Sequence, residues 1–448
     1  MVNSTSLKAD RELLLGGLLA LILAFYFIEA LTWRTAYPTS VTAGDQGAYL
    51  QYARQMHETH YAVTGGRNQM PVYPFLLSLL YRPGFTESEF LARAQVFNVC
   101  LSAVILLLLL ILYRRHFPAY YGAALVVATA FAVFLIRAPC ARAELLFYFL
   151  SFCLFLSFWK MLVAPDIPLA VWTGALAGLA HLTKASVLPA LLIFTGAFAL
   201  KVIREYRLSR VPAVGRGAVL LALVLATFLA IVFPYLQTSK RVFGHYFYNV
   251  NSTFYMWCDS WPEAKALTGA HGDRIGWPTL PPDQIPSEGK YWRDHSFLQI
   301  AGRLSHGVLK LVTHNARVDG YYKYIALLTG TAAVLAIRKR VRFGELLRSR
   351  IPLAVFLGLF FVGYFMLYAW YVPILVDSRF VLALFLPLTF TASKLIDRLV
   401  GDGTIKLAGR RVAALPLFAA VFLVFATVDV LYTEVWLSGR SAAHSERQ

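Results

Sequence analysis

Runs of about twenty apolar residues recur from one end of this chain to the other, and that pattern leaves few folds open. A run of that length spans the hydrocarbon core of a bilayer as a helix. Backbone exposed to lipid must satisfy its hydrogen bonds within the segment, which a helix does. The chain therefore reads as an all-α polytopic membrane protein with about eleven transmembrane helices. The runs lie near residues 12–32, 91–112, 119–136, 143–163, 167–182, 185–202, 217–236, 321–337, 351–370, 379–396 and 412–432. Val72–Tyr81 is apolar but too short to cross, so it is expected re-entrant or along the interface. Composition agrees: 15% of the 448 residues are charged, where a soluble chain carries roughly a quarter.

A formal charge of +18 raises the question of nucleic acid. The basic residues, however, are grouped between hydrophobic runs, where membrane topology puts them, so no nucleic-acid partner is expected. Alternating the runs across the bilayer places Arg114-Arg115, the Lys201–Arg216 segment, Arg338–Arg350 and Lys394–Arg411 on one side. The other side receives only Arg137, Arg142, Lys184 and Arg379 beside its short connections. The positive side is the cytoplasmic one, with Lys8 and Arg11 before an uncleaved first span. Two long polar loops, Trp33–Phe90 and Gln237–Gly320, then face outward as structured elements. The second is dense in Trp, Tyr, Pro and Gly and is expected to fold as a cap. Three parts result: a membrane module over 1–236 with a functional loop at 33–90, the cap at 237–320, and a membrane module over 321–448.

The chemistry-bearing residues follow from that topology, because ionisable groups beside lipid are expensive to keep. In GDQGAYLQYARQM, helical spacing puts Asp45, Tyr49, Tyr52 and Met56 along one side. Arg67 lies in GGRNQMP, Arg142 and Glu144 head the fourth run, His181 and Lys184 lie in AHLTKAS, and Asp377 and Arg379 in VDSRF. Each has a plainer reading. Asp45 suits a helix N-cap, Arg67 a solvated loop cation, and Arg142 with Glu144 an interfacial anchor. Lys184 and Arg379 suit snorkelling cations, and His181 is more simply structural. No His, Cys or carboxylate spacing suits a metal, and no Gly-rich stretch suits a phosphate cradle. Gathering at one surface, rather than at the bilayer midplane as in a transporter, favours chemistry on an anionic lipid headgroup.

These segments resemble the GT-C membrane glycosyltransferases, in particular those related to aminoarabinose transferase, protein O-mannosyltransferase and the rhizobial lipopolysaccharide sugar transferases. GDQGAYLQYARQM is similar to the family's first-loop signature, with Asp45 and Tyr49 in matching places. MPVYPFLLSLLY, GLAHLTKASVLPALL and DSRFVLALFLP resemble three later elements. Gln46 stands where the family carries a second acid, and Gln69-Met70 where it carries a basic residue, leaving Arg67 as the nearest substitute.

The resemblance implies a GT-C fold and a sugar donor carried on polyprenyl phosphate, transferred to a hydroxyl of an envelope acceptor (lipid, glycan or protein) with inversion. It implies Asp45 as the catalytic base, Lys184 and Arg379 on the donor phosphate with Arg67 a weaker third, and Tyr49, Arg142, Glu144 and His181 lining the site. A divalent cation on Asp45 and Glu144 stays open. The setting implied is a bacterial inner membrane, with the site facing the periplasm. Two other classes stand beside it: a flippase or transporter for lipid-linked sugar, and a non-catalytic assembly subunit.

Overall fold

A computed structural model describes residues 4–36, 45–62, 68–209, 213–271, 277, 279–318, 320–401, 403–407 and 410–445. All eleven apolar runs are helical. The chain begins with α1 (Ser4–Ala36), α2 (Asp45–Glu58), the short α3 (Val72–Ser78) and α4 (Glu87–Arg114). It continues through α5 (Ala119–Thr129), α6 (Glu144–Val163), α7 (Ile167–Thr183), α8 (Leu188–Ser209) and α9 (Ala213–Phe243). Four helices fill the second long loop: α10 (Val250–Thr253), α11 (Trp261–His271), α12 (Glu288–Asp294) and α13 (Phe297–Val318). The last part holds α14 (Tyr322–Arg338), α15 (Arg340–Ser349), α16 (Ile351–Tyr371), α17 (Ser378–Leu382), α18 (Phe385–Val400) and α19 (Ala414–Ser445).

Seven helices among the described residues are long and apolar enough to cross a membrane, and α7 and the α5 stretch are shorter apolar helices. The protein is an all-α polytopic membrane protein. One small exception lies in the connection before α19. There Thr404–Leu407 (β1) pairs antiparallel with Arg410–Ala413 (β2), Thr404 opposite Ala413. The run expected at 379–396 is interrupted at Ala383-Leu384, so its outer end forms the separate turn α17.

Small residues set the closest helix packing. Gly174 and Gly178, one turn apart on α7, let α9 approach until a methyl at Gly174 would lie 2.4 Å from the Val224 carbonyl oxygen. Without a hydrophobic drive between helices in lipid, such close backbone contact is a main source of association. It fixes α7, and with it the Lys184 turn that follows.

A second packing centre carries α2 and α3. Tyr49, Leu50 and Ala53 of α2 and Tyr73 and Leu77 of α3 bury against Phe90, Leu91 and Ala94 of α4. Thr86 caps α4 in a reciprocal box with Glu89, which satisfies the first free amides of the helix. The Gln237–Gly320 loop has its own core, with Phe243, Tyr248, Phe254, Tyr255 and Trp277 buried together. Its last helix, α13, lies along α16, where Gly307 meets the Ala369 backbone.

Candidate functional site

The site forms where α2, the 135–143 segment, the α7–α8 turn and α17 converge. Asn98, fully buried on α4, organises that segment. Its amide donates to the carbonyls of Ala138 (2.9 Å) and Cys140 (2.7 Å), while its oxygen accepts from the Tyr73 hydroxyl (3.1 Å). Gln46, beside Asp45, is 2% exposed and accepts from the Ala141 amide at 2.8 Å. Where the resembled family carries a second acid, this chain therefore has a docking group that ties α2 to the lead-in of α6. Asn98 has its oxygen and both amide hydrogens engaged, which suits a buried amide.

Arg379 is the hub. Its guanidinium Nη1 donates to Asp45 Oδ2 and to Glu144 Oε1 (3.2 Å), and its Nε pairs with Asp377 Oδ2 at 2.8 Å. Asp377 caps α17 by accepting from the Arg379 amide (2.9 Å), and Tyr148 of α6 donates to the Arg379 carbonyl (2.8 Å). Lys184 pairs with the same Glu144 oxygen at 3.5 Å. Arg137 donates to the Ser378 hydroxyl at 2.6 Å and stands 4.0 Å from Asp377. Arg142 shares a crevice with Glu144 and Arg379. Four cations thus face three carboxylates, and the cluster keeps a positive excess.

Exposure separates the acids. The Asp45 side chain is 34% exposed and the Glu144 side chain 6%. Asp45 opens toward the exterior of the protein while Glu144 is an internal counter-charge. Among the described residues, Asp45 is bonded only through Oδ2. Tyr49, one turn further along α2, is buried with its ring edge against Tyr73 at 5.3 Å. Burial, reinforced by Glu144 and Asp45, pushes its phenol well above the ordinary range and keeps it neutral.

An apolar cavity adjoins the cluster. It runs between α6, α8 and α16, lined by Phe147, Phe155 and Phe158 on one side and Phe360, Tyr364 and Tyr368 on another. The cavity holds about 20 Å³, so any occupant larger than a water requires α6 and α16 to part. The Lys184 ammonium stands 5.7 Å from the Phe147 ring and 5.6 Å from the Phe380 ring, and Phe380 stacks on Tyr368. A cation therefore sits at the lip of a greasy slot.

Asp45, Glu144, Lys184 and Arg379, from four separate stretches, are thus brought together with Tyr49 and Arg142 beside them. His181 is not among them. It lies 1% exposed in a cage of Phe228, Tyr235 and Phe247, and neither ring nitrogen has a hydrogen-bond partner. Lys184 ends α7 in extended backbone (φ −156°, ψ 130°), so the helical spacing that would align 181 with 184 is broken between them. Arg67 lies outside the described residues. The sequence reading named Arg137, Gln46 and Asp377 but gave none of them a role in the site. The Asp-Ser-Arg order was the available signal, since an Asp before a short helix turn caps it.

The two carboxylates suggested for a divalent cation share the Arg379 Nη1. The position a bridging ion would take between them is held by a guanidinium, so the residues do not fit a metal there. Among the described residues no group of three or more metal-ligating side chains forms.

No family model and no curated protein matches the chain. Among solved structures it is similar to ArnT from Cupriavidus metallidurans bound to undecaprenyl phosphate. The identity is 17%, covering 86% of this chain and 78% of that one, with a TM-score of 0.35. A likeness that distant carries no argument about this site.

Proposed function

We propose that this protein is an integral-membrane glycosyltransferase that moves a sugar from a polyprenyl-phosphate donor to a hydroxyl of an envelope acceptor, with inversion at the sugar. The observation that carries the proposal is the cation-rimmed slot: Lys184 and Arg379 stand where an apolar cavity meets a charged cluster with positive excess. A lipid phosphate needs both halves of that arrangement. The prenyl tail takes the aromatic slot, which opens from its present 20 Å³ as α6 and α16 part, and the phosphate takes the ammonium and guanidinium.

The acceptor arrives from the open side, at Asp45. Its hydroxyl oxygen attacks the anomeric carbon as the Asp45 carboxylate takes the proton, and the bond from that carbon to the phosphate oxygen breaks. The electron pair leaves with the polyprenyl phosphate, whose added charge Lys184 and Arg379 stabilise. Arg379 orients the base by occupying Oδ2, which leaves Oδ1 for the proton. Glu144 holds both cations in place, and no metal enters any step. In this reading residues 1–236 carry the chemistry, 237–320 form a cap, 321–448 complete the slot, and the site faces the periplasm from a bacterial inner membrane.

Asp45→Asn tests the assignment. It preserves size and the bond to Arg379 but removes the basic oxygen. Transfer from an undecaprenyl-phosphoryl sugar should fall by about a hundredfold or more, with donor binding retained. Transfer at the wild-type rate by a normally expressed variant ends the base assignment. Headgroup translocation without a new glycoside identifies a flippase instead.

A further inference from the structure

Beside the ion cluster lies a small crevice lined by Arg137, Cys140, Arg142, Glu144, Leu145 and Arg379. Three polar atoms of its lining residues are buried without a hydrogen-bond partner: Glu144 Oε2, Arg142 Nε and Arg379 Nε, the last of which is held in an ion pair with Asp377. Glu144 as a residue is 5% exposed. A buried carboxylate oxygen and a buried guanidinium N–H each cost free energy when left unmade, and such groups in a folded protein call for an explanation. The other Glu144 oxygen is fully engaged by Arg379 and Lys184, so the ion cluster does not account for Oε2.

The charges around the crevice restrict what fits. An anion would answer Arg142 but face the Glu144 oxygen with like charge. An ammonium would answer Glu144 but meet three guanidiniums. A neutral hydroxyl satisfies both, because it donates one hydrogen bond and accepts others. We propose that this crevice reads a free hydroxyl of the transferred sugar, Arg142 Nε donating to its oxygen and Glu144 Oε2 accepting from its O–H. The subsite rests on the transferase reading and narrows it: the donor sugar is uncharged and hydroxylated at the position that enters. Since Arg379 lines the crevice and also holds the donor phosphate, the hydroxyl read is on the donor rather than on the acceptor, which meets the exposed Asp45.

The test is lipid binding to the full-length protein in nanodiscs. The probes are undecaprenyl phosphate alone and its glucosyl, galactosyl, mannosyl and glucosaminyl forms. The wild type should bind at least one neutral hexosyl form about tenfold tighter than the bare lipid, the order that one charge-assisted hydrogen bond supplies. The glucosaminyl form should show no such gain over that hexosyl form. Arg142→Gln should reduce the preference, read as the ratio of glycosylated-lipid to bare-lipid affinity, to within about twofold. Arg142→Lys keeps the charge without Nε and should do the same, so it carries the test if the glutamine variant fails to fold. Equal affinity of the wild type for bare and glycosylated lipid overturns the subsite alone and leaves an ordered water as the occupant. A preference that survives both substitutions also overturns it. Failure of every probe to bind overturns the transferase reading and the subsite with it.

Discussion

Arg379→Met removes the hub while keeping most of its apolar length, and its effect follows from burial. The Arg379 side chain is 11% exposed and that of Glu144 6%, so this pair is an internal one. Removing one member of such a pair strands the other charge and costs about 3–5 kcal/mol. Asp45 and Asp377, at 34% and 23%, reach water more readily, and their pairs add about 0–1 kcal/mol each. The single substitution should therefore cost about 4 kcal/mol, dominated by Glu144. Adding Glu144→Gln to Arg379→Met removes the stranded charge and should recover about half of that loss, with Lys184 then lacking its partner. The assay is reversible unfolding in mixed micelles by a denaturing detergent, with the two singles and the double compared as a cycle. A loss below about 1 kcal/mol for Arg379→Met, or a double variant worse than both singles, refutes the view of Glu144 as an internal counter-charge.

Three further outcomes follow from the scaffold and the slot. Asn98→Leu leaves two carbonyls and a tyrosine hydroxyl without partners and should cost about 3 kcal/mol, measured in the same unfolding assay; a loss under about 1 kcal/mol would mean the 135–143 segment is held by something else. Gly174→Ala forces a methyl onto the Val224 carbonyl and should cost about 1–3 kcal/mol, whereas a neutral result would show that α7 and α9 part freely. Burial pushes the Cys140 thiol above its ordinary range. The reactive thiolate is therefore scarcer in the folded protein than in the unfolded chain at pH 8, and maleimide labelling of Cys140 followed by mass spectrometry should accelerate sharply on unfolding. Equal rates in both states would contradict the burial.

Much of this arrangement was legible in the sequence because the bilayer simplifies the problem. Long apolar runs can only be helices, and all eleven were. Alternation of sides then put Asp45, Glu144, Lys184 and Arg379 near one surface, and the structure brings those four together. Their pairing was not legible. Asp45, expected as the base, is bonded directly to Arg379, and Glu144, expected only to line the site, is a second, more buried acid binding Arg379 and Lys184. Which carboxylate lies inside depends on how deep α6 begins, and that is set by Asn98 and Gln46 through contacts of 40 and 95 residues' separation. His181 is close to Lys184 in sequence but lies among aromatic rings, a placement that sequence order alone does not show. The helix α13 was hidden in a loop dominated by turn residues, and the β-hairpin before α19 is too short for its alternation to stand out.

The central claim is that a polyprenyl phosphate sits with its headgroup on Lys184 and Arg379 and its tail in the slot between α6 and α16. The direct measurement is an electron cryomicroscopy structure of the full-length protein in nanodiscs with undecaprenyl phosphate. The account predicts phosphate oxygens about 3 Å from Lys184 Nζ and an Arg379 nitrogen, with the first isoprene units against Phe147 and Tyr368. A phosphate bound elsewhere while that slot stays closed would contradict it.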